Sequence, residues 1–290
     1  LAEAIRNFID FDAVEKELKY CEKNNISILC FDDEAYPQKL KICVDSPTIL
    51  FQKGNANLNH TRILSVIGTR SITEYGKKIC EELIEHLKPY NVIIASGLAY
   101  GADVLAHKTC LKYDIPTLGV VAHGLDMIYP IAHKNISKEM TEQGALLSEY
   151  FSDAKLEKGN FPARNRIVAG MSDATIVIET DLKGGSMITA DIAFSYNREV
   201  FCFPGKTTDS KSAGCNFLIK KMKAQLITCA EDIAYEMGWK ETQKQKPIQK
   251  ELFIEMTNYE QTIMKPLKAN GNTEIDQLIE IKEQQIALLN

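Results

Sequence analysis

The chain has 290 residues, with 34 Lys and Arg against 39 Asp and Glu and a formal net charge of -5. That length holds one large or two modest domains with a substantial core, and the acidic balance excludes an overall basic coat, so any nucleic-acid site must be a local patch. Eight Cys at 21, 30, 43, 80, 110, 202, 215 and 229 form no Cys-x-x-Cys pair, and no apolar run reaches membrane-spanning length; free thiols in a soluble cytoplasmic protein are expected, rather than a zinc site, a disulfide framework or a membrane anchor.

Residues 1–24 place Ile5, Phe8, Ile9, Val14 and Leu18 at helical spacing. The chain opens on Leu1 rather than Met, which suggests that part of an N-terminal helical module precedes it. Ile26–Phe31 and Thr48–Phe51 then read as strands on either side of the turn Asp32–Pro37, and Asn55–Asn59 as a short join. Residues 1–59 are therefore expected to form an N-terminal helical segment with two lead-in strands.

Between 60 and 238 the patterns alternate. Strands are expected at Ile63–Ile67, Val92–Ala95, Thr117–Val121, Ala145–Leu147, Ala174–Ile178, Glu199–Phe203 and Gln225–Thr228. Helices are expected near 75–88, 102–112, 133–143, 187–196 and 213–223, with a further one carrying Arg164, Asn165 and Arg166. Short joins between alternating strands and helices imply a mainly parallel, doubly wound α/β sheet of extended Rossmann-like type with right-handed crossovers. Residues 239–250 are Lys- and Gln-rich and read as a linker. Residues 251–290 read as three short helices, a partial winged-helix-like module.

The strand ends carry the chemistry. They run into Gly68-Thr-Arg70-Ser, Ser96-Gly97-Leu-Ala-Tyr-Gly-Ala-Asp103, Ala122-His-Gly124, Lys183-Gly184-Gly185-Ser186 and Pro204-Gly-Lys206. In an open parallel sheet these ends share the edge where ligands bind, and helix N-termini there attract anions. A dinucleotide fails a specific test, because Gly68-Thr-Arg-Ser is not G-x-G-x-x-G and the second strand ends Ala95-Ser96-Gly97 without an acidic residue. Residues 155–225 hold eleven Lys and Arg against seven Asp and Glu. Arg70, Arg164, Arg166, Lys183 and Lys206 each sit beside an expected strand end, which suggests a row of phosphates and hence a strand of nucleic acid. Phe161, Tyr100 and Tyr129 are the rings available for base stacking.

Several stretches in order resemble one family. They are Val66-Ile-Gly-Thr-Arg70, Ser96–Asp103 with Ala106-His107, Gly124-Leu-Asp126 with Tyr129-Pro130, Gly144–Tyr150, Gly185-Ser-Met-Ile-Thr-Ala190 and Phe203-Pro-Gly205. The most specific is Gly159-Asn-Phe-Pro-Ala-Arg-Asn-Arg-Ile167. Together they are similar to the DNA-processing protein A (DprA/Smf) family of bacterial natural transformation. The resemblance implies a single-stranded DNA-binding recombination mediator without catalysis, cofactor or metal, which dimerises, protects incoming DNA and loads the RecA recombinase. It also implies that Gly68, Arg70, Ser96 and Gly97 line the DNA pocket, with Phe161, Arg164, Asn165 and Arg166 beside it. Lys183, Gly185, Ser186 and Lys206 complete the expected set. The sequence departs from the family at Ala122-His123 and at Ala213-Gly-Cys-Asn216.

The competing reading is a nucleotide-processing enzyme resembling the lysine-decarboxylase-like phosphoribohydrolases. It would use Asp173, Gly184-Gly185-Ser186 and Thr189, with Asp191 in place of a Glu and with Glu149 or Glu179 as the working carboxylate. Glu149 and Glu179 are expected instead to pair with Arg, and Asp103 and His107, four residues apart, with each other. A hydrolytic triad of Ser96, His107 and Asp103 is the poorest option.

Overall fold

A computed structural model describes residue 9 and residues 11–239. The expected linker and C-terminal module at 239–250 and 251–290 lie, apart from Trp239, outside the described residues. Chain order gives α1 (Phe11–Lys23), β1 (Ile26–Cys30), α2 (Gln38–Lys41), β2 (Ile49–Gly54) and β3 (Ile63–Ile67), followed by α3 (Glu74–Leu87), β4 (Ile93–Ser96) and α4 (Ala102–Lys112). Next come β5 (Thr117–Val120), α5 (Lys134–Gln143), β6 (Ala145–Ser148), α6 (Asn160–Gly170) and β7 (Ala174–Val177). The described part ends with α7 (Gly185–Ser195), β8 (Glu199–Cys202), α8 (Ala213–Lys220), β9 (Gln225–Leu226) and α9 (Ala230–Glu236). No helix among the described residues is long and apolar enough to cross a membrane.

The strands form one sheet in the order β1-β2-β6-β5-β4-β3-β7-β8-β9. From β6 to β9 every pairing is parallel, as the alternating pattern predicts. The two lead-in strands continue this sheet. β2 runs antiparallel against β6, with Phe51 opposite Ser148, and β1 runs antiparallel against β2. The chain builds outward from β3 through β4, β5 and β6, then returns to the other side of β3 to place β7. Loops leaving β3 and β7 therefore diverge to opposite faces, and a crevice opens between them at the strand C-termini.

Helices cover both faces because the central strands are apolar on both. In β3, Leu64 and Val66 join a cluster with Cys80, Ile84 and Leu87 of α3, Ala106 and Cys110 of α4 and Ile233 of α9. Ile63 and Ile67 point the other way, toward Leu40 of α2, Ile167 and Val168 of α6, Ala190 of α7 and Leu218 of α8. This period-two division is what a strand requires when each face is packed. A smaller cluster joins Cys21 of α1 and Met140 of α5 to Ile26 and Phe51. The eight cysteines are unpaired, and burial pushes the thiols of Cys80 and Cys110 well up.

Most polar groups inside this core are matched. Ser65 Oγ donates to Thr175 Oγ1 across β3 and β7 at 2.7 Å. Asp173, at the start of β7, accepts from Ile63 N at 2.7 Å and pairs with Lys39 at 2.6 Å. His107 does not pair with Asp103 as the spacing predicts; its Nδ1 meets Thr117 Oγ1 at 2.7 Å. Thr117 uses its own proton on Ile94 O at 2.9 Å, so His107 must donate from Nδ1 and leave Nε2 unprotonated. That Nε2 is buried without a partner.

Burial, and then the nearby charges of His133 and Arg164, pull the His107 imidazole down from 6.5 to about 3. Between those values only the unfolded chain takes up the proton, so stability falls as pH drops below 6.5. His107→Asn keeps a donor toward Thr117 but cannot titrate. In calorimetric scans between pH 7 and pH 5 the variant's melting temperature should decline less steeply than that of the parent; equal slopes would contradict the assignment.

Candidate functional site

The crevice at the β3/β7 reversal has a volume of about 430 Å³ and is lined by the loops after β3, β4, β7 and β8 and by residues of α4, α6 and α7. The loop after β3 supplies Gly68, Thr69, Arg70 and Ser71, the loop after β4 supplies Gly97 and Ala99, and the first turn of α4 supplies Asp103. Thr180, Asp181 and Gly184–Ser186 come from the β7 side, and Phe161, Pro162, Arg164 and Asn165 from α6. Its size lies within the range of small-ligand pockets.

Backbone bonds fix these loops against each other. Thr69 N donates to Glu179 O at 2.7 Å, while Thr69 O accepts from Ala102 N at 3.1 Å. The β3 loop thus bridges the β7 and β4 sides. Gly101, which caps α4, has φ +80°, and a Cβ there would lie 2.2 Å from Thr69 O. Only glycine fits that backbone and that approach. Glu179, expected to meet an Arg, instead accepts from Thr73 N at 2.9 Å and Thr73 Oγ1 at 2.6 Å, tying the end of β7 to the start of α3.

Most charges around the crevice are already engaged. Lys211 pairs with Asp181 at 2.8 Å. Arg164 is only 4% exposed. Its Nη1 donates to Gly97 O at 2.7 Å and to Val120 O, and its Nε to Asn165 Oδ1 at 3.2 Å. Burial lowers the Arg164 guanidinium to about 10, opposed chiefly by the charge of Asp103. The same burial raises the Asp103 carboxyl, opposed chiefly by Arg164 and by the amides of Ala99 and Gly97. Arg70 is different: it is exposed and makes no hydrogen bond or ion pair among the described residues.

Of the residues expected at the site, the crevice brings together Gly68, Arg70, Gly97, Phe161, Arg164, Asn165, Gly185 and Ser186. Ser96 turns into the sheet, fully buried, and donates to Val66 O at 2.6 Å. Arg166 lies outside the crevice lining. It pairs with Glu149 at 2.6 Å, as the strand-end reading of Glu149 predicts, and stands 3.9 Å from Asp45. Two residues along a helix turn a side chain by about 200°, so Arg164 and Arg166 cannot share one target. Lys183 and Lys206 are exposed but do not line the crevice. Phe161 packs against Tyr129, ring centroids 5.7 Å apart, and Tyr129 is half exposed; Tyr100 lies edge-on to His133 at 4.9 Å.

The carboxylates named for the enzyme reading are dispersed. Glu149 and Glu179 hold Arg166 and Thr73, Asp191 pairs with Lys223 at 2.7 Å, and Asp173 sits at the opposite end of its strand from the crevice. Sequence reasoning passed over Thr180, Asp181 and Lys211 as lining residues. The signal for Thr180 and Asp181 was position alone, since they stand three and four residues beyond the end of β7.

The sequence model of a family described as DNA recombination-mediator protein A matches residues 27–238. DNA processing protein DprA of Streptococcus pneumoniae is 38% identical over 204 residues, which cover 70% of this chain and 72% of that protein. The X-ray structure of DNA processing protein A from Streptococcus pneumoniae superposes with a TM-score of 0.71 at 35% identity, covering 75% of this chain and 77% of the other. DNA processing protein A from Helicobacter pylori, whose structure was described for its unique single-stranded DNA binding mode, superposes with a TM-score of 0.66. It is 33% identical over 73% of this chain and 95% of its own.

A Cβ on Gly97 would stand 2.6 Å from Arg164 Nη2 and 2.7 Å from Asp103 Oδ2. Gly97→Ala should therefore lower the unfolding free energy by about 1–3 kcal/mol, the usual result of overpacking a fixed site. Urea titration reads this directly, and an unchanged midpoint would mean that the two charged groups yield freely.

Proposed function

The chain belongs to the DNA recombination-mediator protein A family, and on that footing we propose that it binds single-stranded DNA along the crevice at the β3/β7 reversal. One observation carries this reading: Arg70 is an exposed guanidinium without a partner among the described residues, on the rim of a crevice whose other basic groups are engaged. A guanidinium grips phosphate oxygens with two parallel donors, and the first-turn amides of α7 at Gly185 and Ser186 offer further donors without side-chain entropy. Lys183 and Lys206, exposed on neighbouring loops, extend the positive edge. Contacts of this kind hold a backbone and read no sequence.

Preference for single strands comes from the aromatic side of the crevice. Phe161 and Tyr129 form a tilted pair that presents ring surface to an unpaired base, and stacking of this sort accepts any base. A duplex keeps its bases out of reach. Among the described residues the nucleotide-processing alternative finds no free carboxylate at the crevice, since Asp103 and Asp181 are both held by hydrogen bonds or ion pairs, and the protein is proposed to act by binding rather than by catalysis.

The bound strand, in this proposal, is incoming DNA in a reducing cytoplasm, shielded and then handed to the RecA recombinase during natural transformation. Self-association is proposed at the β9 edge, where Phe194, Phe217, Met222 and Leu226 are all exposed. Met222→Glu should then shift the protein toward monomer in sedimentation analysis while its circular dichroism spectrum stays that of the folded parent; an unaltered sedimentation coefficient would remove that face from consideration.

The crevice itself is tested by fluorescence anisotropy against single-stranded, double-stranded and mononucleotide ligands over a salt series. Arg70→Glu should weaken single-strand binding by about tenfold to a hundredfold, the value of one charged contact. Arg70→Gln should reduce the salt slope by about 0.7, one phosphate's share. Folded variants that bind as tightly as the parent, or a parent that prefers duplex, would refute the proposal.

A further inference from the structure

We propose that Asp103 and Arg164 form a positioning pair that holds the Gly97 peptide from both ends, so that Arg164 supports the crevice floor and Arg70 alone of the two arginines grips phosphate. The inference deepens the single-stranded DNA reading and rests on it. Asp103 Oδ2 accepts from Gly97 N at 3.2 Å and from Ala99 N at 3.4 Å. Arg164 Nη1 donates to Gly97 O at 2.7 Å and also reaches Val120 O. One guanidinium on α6 thereby fastens the ends of β4 and β5, and one carboxylate in the first turn of α4 fastens the loop between β4 and α4.

The two charges do not touch. They stand on either side of Gly97, each filling space that a side chain there would need. Both groups are buried, Arg164 at 4% and Asp103 at 8% exposure, and a buried charge is tolerated only while an opposite charge and hydrogen bonds offset its lost hydration. The N-terminus of α4 adds favourable potential at Asp103. Loss of either member strands the other, whereas loss of both removes the imbalance. A phosphate-gripping arginine has no such dependence on a buried carboxylate.

The test uses the full chain and a single-stranded oligothymidylate, with affinity measured by anisotropy across a salt series. The variants are Asp103→Asn, Arg164→Gln, the two together, and Arg70→Gln as reference. Each single change in the pair should weaken binding by at least about tenfold with the salt slope of the parent, and the double variant should regain at least about fivefold over Arg164→Gln. Arg70→Gln should instead lower the slope by about 0.7. A slope lowered in Arg164→Gln, or a double variant no better than that single one, overturns the proposal.

Should Arg164→Gln fail to fold, Asp103→Asn carries the test: weaker binding at the parent's salt slope supports the pair, and unchanged affinity overturns it. Absence of parent binding would refute the DNA reading itself. The pair is then judged by amide hydrogen exchange at Gly97 and Ala99: protection lost in Asp103→Asn supports it, and protection unchanged overturns it.

Discussion

On the two sides of β3 the chain winds in opposite directions, and nearly everything about the site follows from that reversal. The loop after β3 cannot lie over both of its neighbours, so a gap is left at the C-terminal edge between β3 and β7. Backbone bonds from Thr69 to Glu179 and Ala102 set its width. The strand order from β5 through β4, β3, β7 and β8 to β9 is the one used by dinucleotide-binding sheets. What differs is the furnishing of the first loop, where an arginine stands in place of a second glycine.

Charge within the crevice is governed by desolvation. Lys211 has Asp181, Arg164 faces Asp103 across a glycine, and Arg166, on the far side of the same helix, has Glu149. These pairings make the crevice far less positive than the count of basic residues between 155 and 225 suggests. The donors left unengaged there are few, chiefly the Arg70 guanidinium and the first-turn amides of α7, with the ring of Phe161 beside them.

Most of the fold was legible because its strands are short apolar runs between turn residues, with helical spacing between them. Expected and observed strand bounds in the parallel region differ by a residue or two, the ordinary uncertainty of strand ends. That β2 would lie against β6 was not legible, since pairing between strands far apart in sequence leaves no local mark. Of the five glycine loops, those after β3, β4 and β7 line the crevice, whereas Ala122–Gly124 and Pro204–Lys206 do not. Side-chain partners were read less well. Asp103 and His107 share a helical face, yet each is claimed by another element, Asp103 by the loop before its helix and His107 by Thr117 of β5. Arg164 and Arg166 look alike in the sequence, and only the burial of one and the carboxylate beside the other separate their roles.

The antiparallel strands β1 and β2 have a practical corollary. Cys30 ends β1 at the outer margin of the sheet and is exposed, while Cys21, Cys43, Cys80, Cys110, Cys202 and Cys215 are buried and Cys229 is half-buried. A thiol-reactive dye would accordingly settle first at Cys30. Five strand spacings separate β1 from β3, about 24 Å across the sheet. A fluorophore there stands on the same sheet as the crevice yet well away from its lining residues, and so marks a fixed point from which the crevice can be watched without altering it.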